Sequence, residues 1–322
     1  MEQAAQLSSA AGVYSRLRIA VLIPCYNEAA TVGKVIADFR TFLPAAEIYV
    51  YDNNSTDYTS KIATAAGAIV RKELRQGKGY VVRRMFSDID ADIYLLVDGD
   101  ATYDASAAPK LIETMLDGPF DKVNGVRVPS GRAAFRKGHV LGNVMLTTLV
   151  AYVFDTSSKD MLSGYKVLSR RFVKTFPSSS SGFEIETELL VHALELDISM
   201  ADVDTPYYER PAGSVSKLST FRDGWRILWM IVHLIRDFLP FRFFLGVAAL
   251  FFILSLAFGT PVLFEYFETG LVPRLPTAVG ALGLMILAFL SLFAGLILDS
   301  VARGRREMKL LAFLQFPTVH LP

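Results

Sequence analysis

Two long apolar runs in the last third of the chain limit its fold more strongly than any other feature. They cover residues 243–264 and 278–298, which are 22 and 21 residues long, and neither contains a charged side chain. A helix rises about 1.5 Å per residue, so each run is long enough to cross the roughly 30 Å hydrocarbon core of a bilayer. We therefore predict a transmembrane helical hairpin over residues 242–300.

Charged residues on either side of the hairpin predict its orientation. Arg236 and Arg242 precede the first run, and three arginines and a lysine follow the second within residues 303–309. Because Lys and Arg accumulate in cytoplasmic loops, we expect both termini in the cytoplasm. Residues 1–14 contain neither a basic residue nor a long apolar run, so we expect no signal peptide. The sequence predicts a multi-pass protein of the cytoplasmic membrane.

The rest of the chain divides by composition. We expect a tail at 1–17, one α/β domain at 18–218, a juxtamembrane segment at 219–241 and a cytoplasmic tail at 301–322. Within the juxtamembrane segment, the apolar residues of 221–238 share one side of a helix and the arginines lie elsewhere. Such a helix lies among lipid headgroups, and an ordinary packed helix is the alternative.

The overall composition excludes several classes of protein. The 322 residues carry a formal net charge of +1, which gives no reason to expect nucleic acid as a partner. The mean hydropathy of +0.35 comes from apolar residues concentrated beyond residue 240, which is typical of a membrane protein. The single cysteine rules out an internal disulfide, and the four histidines lack the spacing of metal ligands.

The first two thirds of the chain alternate short apolar segments with segments of helical periodicity. The strand-like segments are 18–24, 47–52, 68–71, 93–97, 122–128 and 198–207, and the helical ones include 27–40, 58–66, 75–84 and 109–116. This alternation predicts an α/β fold with a mostly parallel, doubly wound sheet. Since the carboxyl ends of parallel strands meet at one edge, the polar residues that follow the strands should lie together.

Two carboxylates, Asp98 and Asp100, follow the apolar strand at 93–97. A pair of acids at the carboxyl edge of such a sheet is typical of a divalent metal site with an anionic ligand on its far side. The alternative is an ordinary polar turn, which Asp and Gly also favour.

Two other motifs favour simpler interpretations. Gly77 and Gly79 do not complete a dinucleotide-binding fingerprint, because the third glycine position is Val82, and no phosphate-binding loop with a Gly-Lys-Ser/Thr ending is present. The acids Glu184, Glu186 and Glu188 cannot all face a core, and a solvated helix face is one explanation for them.

Six motifs, in this order, resemble those of glycosyltransferase family 2, and within it the polyprenyl- and dolichyl-phosphate glycosyltransferases. They are IPCYNE at 23–28, DNNSTD at 52–57, GKG at 77–79, DGD at 98–100, LSGY at 162–165 and the basic loop at 210–217. The resemblance covers nearly the whole chain and implies a GT-A domain followed by amphipathic and transmembrane helices. It also implies the transfer of one sugar, with inversion, from a nucleotide-diphosphate sugar to a polyprenyl phosphate. This acceptor would be undecaprenyl phosphate or dolichyl phosphate.

The resemblance also implies roles for individual residues. The expected nucleotide-sugar contacts are Pro24, Tyr26, Glu28, Asp52, Asn54, Ser55, Gly77, Gly79 and Asp98. Asp98 and Asp100 would hold Mg²⁺ or Mn²⁺ against the diphosphate. The expected lipid-phosphate contacts are Ser163, Arg210, Ser216 and Lys217. The candidate catalytic residues are Asp100, Asp160 and Arg210, with Asp160 orienting the acceptor.

The sequence departs from the family pattern at two places. Ala101 stands where relatives usually have another acid, and one extra residue separates Gly213 from Ser216, which leaves open whether Ser214 or Ser216 faces the phosphate. The DNNS at 52–55 favours a uridine nucleotide, with GDP-mannose as the other candidate.

The sequence leaves two other functions and one further partner open. A processive polysaccharide synthase is disfavoured because the chain has no Gln-x-x-Arg-Trp motif and too few spans for an export channel. A non-catalytic, membrane-anchored nucleotide-sugar sensor would account for Ala101. Besides membrane lipids, a second copy of the chain is an expected partner, since the apolar hairpin offers a surface for self-association.

Overall fold

The computed structural model describes residues 17–129, 160, 163–178, 182, 184–211, 232–233 and 235–319. The chain divides into two compact units, Met1–Asp223 with Lys309–Pro322, and Gly224–Met308. Ser214, Ser216 and Lys217 of the predicted basic loop lie outside the described residues, as does most of the amphipathic stretch 221–238.

Seven strands form one mixed sheet in the first unit. They are β1 (Ile19–Cys25), β2 (Glu47–Asp52), β3 (Ile69–Lys72), β4 (Ile93–Leu96), β5 (Lys122–Pro129), β6 (Lys166–Ser169) and β7 (Met200–Tyr207), in the order β3-β2-β1-β4-β6-β5-β7. All neighbouring pairs are parallel except the two that contain β6. The predicted mostly parallel sheet is confirmed. The antiparallel strand was not predicted, because four residues are too few to show a period.

Six helices accompany the sheet in the described part of this unit. They are α1 (Val32–Phe42), α2 (Thr59–Ala65), α3 (Lys78–Asp88), α4 (Ala108–Asp117), α5 (Arg170–Thr175) and α6 (Ile185–Glu195). α1 begins at Val32 and not at the predicted residue 27, because Asn27 has a φ of 54°, a left-handed conformation that ends a helix. The carbonyl of Glu28 accepts the N–H groups of Thr31 and Val32, which closes this turn before the helix starts.

Two apolar layers, one on each face of the sheet, hold the unit together. Val21 and Ile23 of β1 belong to one layer, with α1 and α4, and Ala20 and Leu22 belong to the other, with α3, α5 and α6. This division follows from the two-residue period of a strand, which sends alternate side chains to opposite faces. Both faces are therefore covered, as a doubly wound sheet requires.

Two long helices, α7 (Pro240–Thr269) and α8 (Leu275–Leu314), make up most of the second unit, and α8 continues past its last residue, Met308. Both are long and apolar enough to cross a membrane, and they contain the two predicted apolar runs. α7 is capped at its C-terminus by Gly270, whose φ of 70° only glycine adopts readily. The Ser255 hydroxyl donates to the carbonyl of Ala281 at 2.7 Å and links the two helices. The helix α8 continues to Leu314, so part of the segment predicted as a tail is helical.

Candidate active site

The turn that carries the two carboxylates is held against the end of β1. A Cβ atom on Gly99 would lie 2.6 Å from the Sγ of Cys25, so the close approach of the two strand ends requires glycine. The Thr31 hydroxyl donates to the carbonyl of Gly99 at 2.7 Å. The start of α1 and the end of β1 together therefore position the residues on both sides of Gly99.

Asp100 is almost fully buried and uses its two oxygens differently. Its Oδ1 accepts from the N–H and the hydroxyl of Thr102, at 3.2 and 2.6 Å. Its Oδ2 lies 2.6 Å from Nη2 of Arg210. Ala101, between Asp100 and Thr102 in sequence, has a φ of 57°, in the left-handed region. One carboxylate oxygen thus stabilises the turn, and the other faces a cation.

Contacts after β7 bring Arg210 to this place. Tyr103 and Tyr207 form an isolated antiparallel bridge, and the N–H of Tyr208 donates to the carbonyl of Thr102 at 2.8 Å. The segment that follows Asp100 therefore runs beside the end of β7. Arg210, two residues further on, is consequently placed at Asp100 although 110 positions separate them in sequence.

The partly buried Asp98 is paired with a lysine that the sequence interpretation did not single out. Lys78, at the start of α3, places its Nζ 2.6 Å from Asp98 Oδ1 and 2.7 Å from Glu186 Oε1. Burial raises the pKa of Asp98, the charge of Lys78 lowers it and that of Asp100 raises it further, and the net result is a raised value. Lys78 was missed because its neighbours Gly77 and Gly79 carried the motif.

Glu186 of α6 is buried between two lysines. Its Oε2 pairs with Lys166 of β6, and its Oε1 pairs with Lys78. Burial raises the pKa of Glu186, but the two lysines lower it to about 2, so this carboxylate is ionised at neutral pH. Glu184 is exposed, as a solvated face requires, whereas that interpretation is wrong for Glu186, which is only 4% exposed.

A cavity of about 270 Å³ opens at this edge of the sheet. Seven of the predicted residues line it, namely Pro24, Tyr26, Glu28, Gly77, Asp98, Asp100 and Arg210. Six further residues that were not predicted also line it, namely Cys25, Asn53, Gln76, Lys78, Val81 and Gly99. The cavity therefore combines three carboxylates, those of Glu28, Asp98 and Asp100, and two cations with apolar and amide groups.

Three of the predicted nucleotide-sugar contacts, Asp52, Asn54 and Ser55, do not line the cavity. Asp52 accepts from the N–H of Ser55 at 2.9 Å and from the hydroxyl of Ser60, and the amide of Asn54 donates to the carbonyl of Leu74 at 2.5 Å. The hydroxyl of Ser55 accepts from the N–H of Asn27 at 2.9 Å. These side chains hold the loops together and are not among the residues that line the cavity. Gly79 also lies away from it, buried within α3.

Within the DNNSTD motif at 52–57, Asn53 is the residue that lines the cavity. Its Nδ2 donates to the carbonyls of Glu73 and Arg75 at 3.0 and 2.7 Å, and its Oδ1 accepts from the N–H of Gly77 at 2.7 Å. This single side chain therefore shapes the loop before α3. The sequence does not distinguish Asn53 from its neighbours, because the orientation of each side chain depends on how the strand ends.

Asp160 and Ser163 are buried and lie outside the set that lines the cavity. Arg127 of β5 donates to both oxygens of Asp160, at 2.7 and 2.8 Å. Burial raises the pKa of Asp160, but these hydrogen bonds and the charge of Arg127 lower it below its usual value. The Ser163 hydroxyl donates to the carbonyl of Gly125 at 2.5 Å.

The donor set at the cavity fits a divalent cation that takes part of its coordination shell from a ligand. In the described part of the chain, no group of three or more His, Cys, Asp or Glu residues is placed to hold a metal. Asp98 and Asp100 are two hard oxygen donors in one cavity, and each is paired with a cation there. Mg²⁺ is commonly bound by one or two carboxylates together with substrate phosphates and water.

Comparison with known proteins identifies the family. A family model described as glycosyl transferase family 2 matches residues 20–176. The chain is 56% identical to Protein RfbJ of Shigella flexneri over 39% of this chain and 99% of that one. It is 37% identical to Glycosyltransferase AglJ of Haloferax volcanii, over 64% of this chain and 68% of that one.

Two further similarities concern a more distant relative and the fold. The chain is 28% identical to the dolichyl-phosphate hexose transferase of Haloferax volcanii, over 64% of this chain and 89% of that one. The structure of glucosyl-3-phosphoglycerate synthase from Mycobacterium tuberculosis with Mn²⁺, UDP and glucosyl-3-phosphoglycerate matches with a TM-score of 0.58 at 24% identity, over 71% of this chain and 82% of that one. That match supports the GT-A fold. The chain belongs to glycosyltransferase family 2.

Proposed function

We propose that this glycosyltransferase moves a single sugar, with inversion, from a nucleotide-diphosphate sugar to polyprenyl phosphate at the cytoplasmic face of the membrane. The observation that carries the proposal is the pairing of two carboxylates, Asp98 and Asp100, with two cations, Lys78 and Arg210, around one cavity. Such a site suits a diphosphate bound together with a divalent cation. A UDP-sugar is the favoured donor, and GDP-mannose is the alternative.

The donor would occupy the cavity with its diphosphate toward Asp98 and Asp100. Pro24, Tyr26 and Glu28, at the end of β1, would line the nucleoside. Mg²⁺ or Mn²⁺ held by the two carboxylates would neutralise the charge that develops on the departing nucleoside diphosphate. Arg210 offers a planar donor group that binds phosphate oxygens in pairs.

The acceptor phosphate needs little activation. The second pKa of a phosphate monoester is about 6, so the group is largely a dianion at pH 7 and already nucleophilic. Both oxygens of the Asp160 carboxylate accept hydrogen bonds from Arg127, which fits an acceptor that needs no strong general base. Asp160 would instead orient the acceptor through that guanidinium. Ser163 would stabilise the backbone through its hydrogen bond to the carbonyl of Gly125. Ser216 and Lys217 remain proposed phosphate contacts.

A membrane-embedded acceptor explains the second unit. α7 and α8 are long and apolar enough to cross a bilayer, and one relative is named a dolichyl-phosphate hexose transferase. A polyisoprenoid phosphate remains in the bilayer, so its transferase must work at the membrane surface. The basic residues at 303–309 support a hairpin with both ends in the cytoplasm.

The direct test uses membranes that contain the full chain. They would be incubated with Mn²⁺, undecaprenyl or dolichyl phosphate and radiolabelled UDP-glucose, UDP-galactose, UDP-N-acetylglucosamine or GDP-mannose. We expect label in the organic-solvent extract with one of these donors, and a loss of at least about 100-fold with Asp100→Asn, because a bound metal contributes several kcal/mol to such a step. Asp117→Asn, on the exposed end of α4, is the matched control.

Other outcomes would identify another function. Polymeric product in place of lipid-linked monosaccharide would indicate a processive synthase. Donor and metal binding without turnover, also in Ala101→Asp, would indicate a nucleotide-sugar sensor. No lipid-extractable label with any donor would refute the proposal.

A further inference from the structure

The buried carboxylate of Glu186 has no assigned role in the transfer reaction. It lies on α6, on the far side of Lys78 from Asp98, so the ammonium group of Lys78 stands between two carboxylates at 2.6 and 2.7 Å. The side chains of Lys78 and Glu186 are 9% and 5% exposed, respectively. Burial of this kind is expensive for a charge unless every charge is paired.

A second lysine completes the group. Lys166 of β6 pairs with the other oxygen of Glu186 and also donates to the carbonyl of Ser163. Lys166 reaches this place because it stands opposite Leu96, the last residue of β4, in the antiparallel pair. Asp98, Lys78, Glu186 and Lys166 therefore form a chain of alternating charge with no net charge.

The charge chain meets the metal site at one atom. Lys78 occupies Oδ1 of Asp98, and Oδ2 of the same carboxylate packs over Gly164, where even a Cβ atom would lie 2.3 Å away. A divalent cation bound by Asp98 would consequently approach the ammonium group of Lys78. Because like charges repel strongly where water is largely excluded, Lys78 must shift its pairing when the cation binds.

We propose that Glu186 is a positioning residue of the metal site, which retains Lys78 when Asp98 ligates a divalent cation. This rests on the proposed function, in which Asp98 and Asp100 hold the metal. Glu186 supplies an alternative partner for Lys78 at almost the same distance, so little side-chain movement is needed. Lys166 keeps the carboxylate of Glu186 in place for this exchange.

Binding of Mn²⁺ alone to the purified full chain tests the proposal without turnover. The electron paramagnetic resonance signal of free Mn²⁺ would be followed during titration. We expect Glu186→Gln to weaken Mn²⁺ binding by about 10-fold, since Lys78 is then left with Asp98 as its only anionic partner in this chain of charges. The matched control is Glu184→Gln, an exposed acid two residues earlier, which should stay within about twofold of the wild type.

A double variant separates positioning from net charge and preserves the charge balance of the buried group. In Glu186→Gln/Lys166→Met the net charge is restored, but Lys78 still lacks its second partner, so Mn²⁺ binding should remain about 10-fold weaker. Recovery of wild-type affinity in this variant would overturn the proposal in favour of a simple charge effect. An unchanged affinity in Glu186→Gln would also overturn it. If the wild type itself bound no Mn²⁺, the proposed metal site would fail, and the role of Glu186 with it.

Discussion

Nη2 of Arg210 lies 2.6 Å from Oδ2 of Asp100, the oxygen of that carboxylate that the Thr102 turn leaves available. A metal bound by Asp100 would need the same oxygen. Under the proposed function the arginine and the cation would therefore compete for Asp100, and binding of the metal would release the guanidinium to contact phosphate.

Replacement of Arg210 by Gln should consequently have opposite effects on two ligands. Mn²⁺ alone should bind about 10-fold more tightly, because a charged hydrogen bond of roughly 1.5–3 kcal/mol no longer opposes it. UDP in the presence of Mn²⁺ should bind more weakly, since a phosphate contact is lost. Isothermal titration calorimetry measures both. Arg18→Gln, an exposed arginine paired with Glu47 at the opposite edge of the sheet, should change neither. Weaker binding of Mn²⁺ alone would contradict the competition.

Replacement of Gly164 by Ala should displace the Asp98 carboxylate. The added Cβ would lie 2.3 Å from Oδ2 of Asp98. Overpacking of this size costs about 1–3 kcal/mol, and Asp98 yields more easily than the backbone. We expect sugar transfer to fall at least about 10-fold with a modest decrease in the unfolding midpoint. Gly304→Ala on α8, where a Cβ meets no atom within 4 Å, should keep full transfer. Normal transfer by the Gly164 variant would exclude a role of Asp98 at its present position.

Replacement of Ala101 by Gly should stabilise the chain. The left-handed φ of 57° costs an alanine roughly 1–2 kcal/mol, and one methyl group, worth roughly 0.8 kcal/mol when fully buried, does not offset this. We expect a gain of about 0.5–1 kcal/mol, seen as a higher unfolding midpoint. The control Ala65→Gly changes an exposed alanine within α2 and should lower the midpoint. A lower midpoint for both variants would show that the methyl of Ala101 outweighs its strain.

His192 should make stability depend on pH. Its ring is 2% exposed and packs edge-on against Phe172 and Phe176, and burial lowers its pKa to about 3. Between pH 6.5 and about 3 the unfolded chain binds a proton at this residue that the folded chain does not, so stability falls as pH falls. His192→Met should therefore lose less of its unfolding midpoint than the wild type between pH 7.5 and pH 5. Equal losses would indicate that the ring is protonated in the folded state.

Much of the fold and part of the site follow from the sequence. The alternation of apolar strands and periodic helices predicts the parallel part of the sheet, because each β-α unit buries its own apolar face locally. The two charge-free runs predict α7 and α8 by length alone. Asp98 and Asp100 were recognised because they follow a strand directly, and the structure places both at the cavity with Pro24, Tyr26, Glu28, Gly77 and Arg210.

Only the tertiary structure identified the partners of these residues. Lys78, Glu186 and Lys166 come from two helices and a four-residue antiparallel strand, and no local pattern links them. Asn53 lines the cavity and Asp52 does not. The backbone conformation where the strand ends decides which of the two side chains faces inward. The physical reason is the same in both cases. Periodicity is a property of neighbours in sequence, whereas the pairing of buried charges depends on contacts between residues far apart in sequence, such as Asp100 and Arg210, which are 110 positions apart.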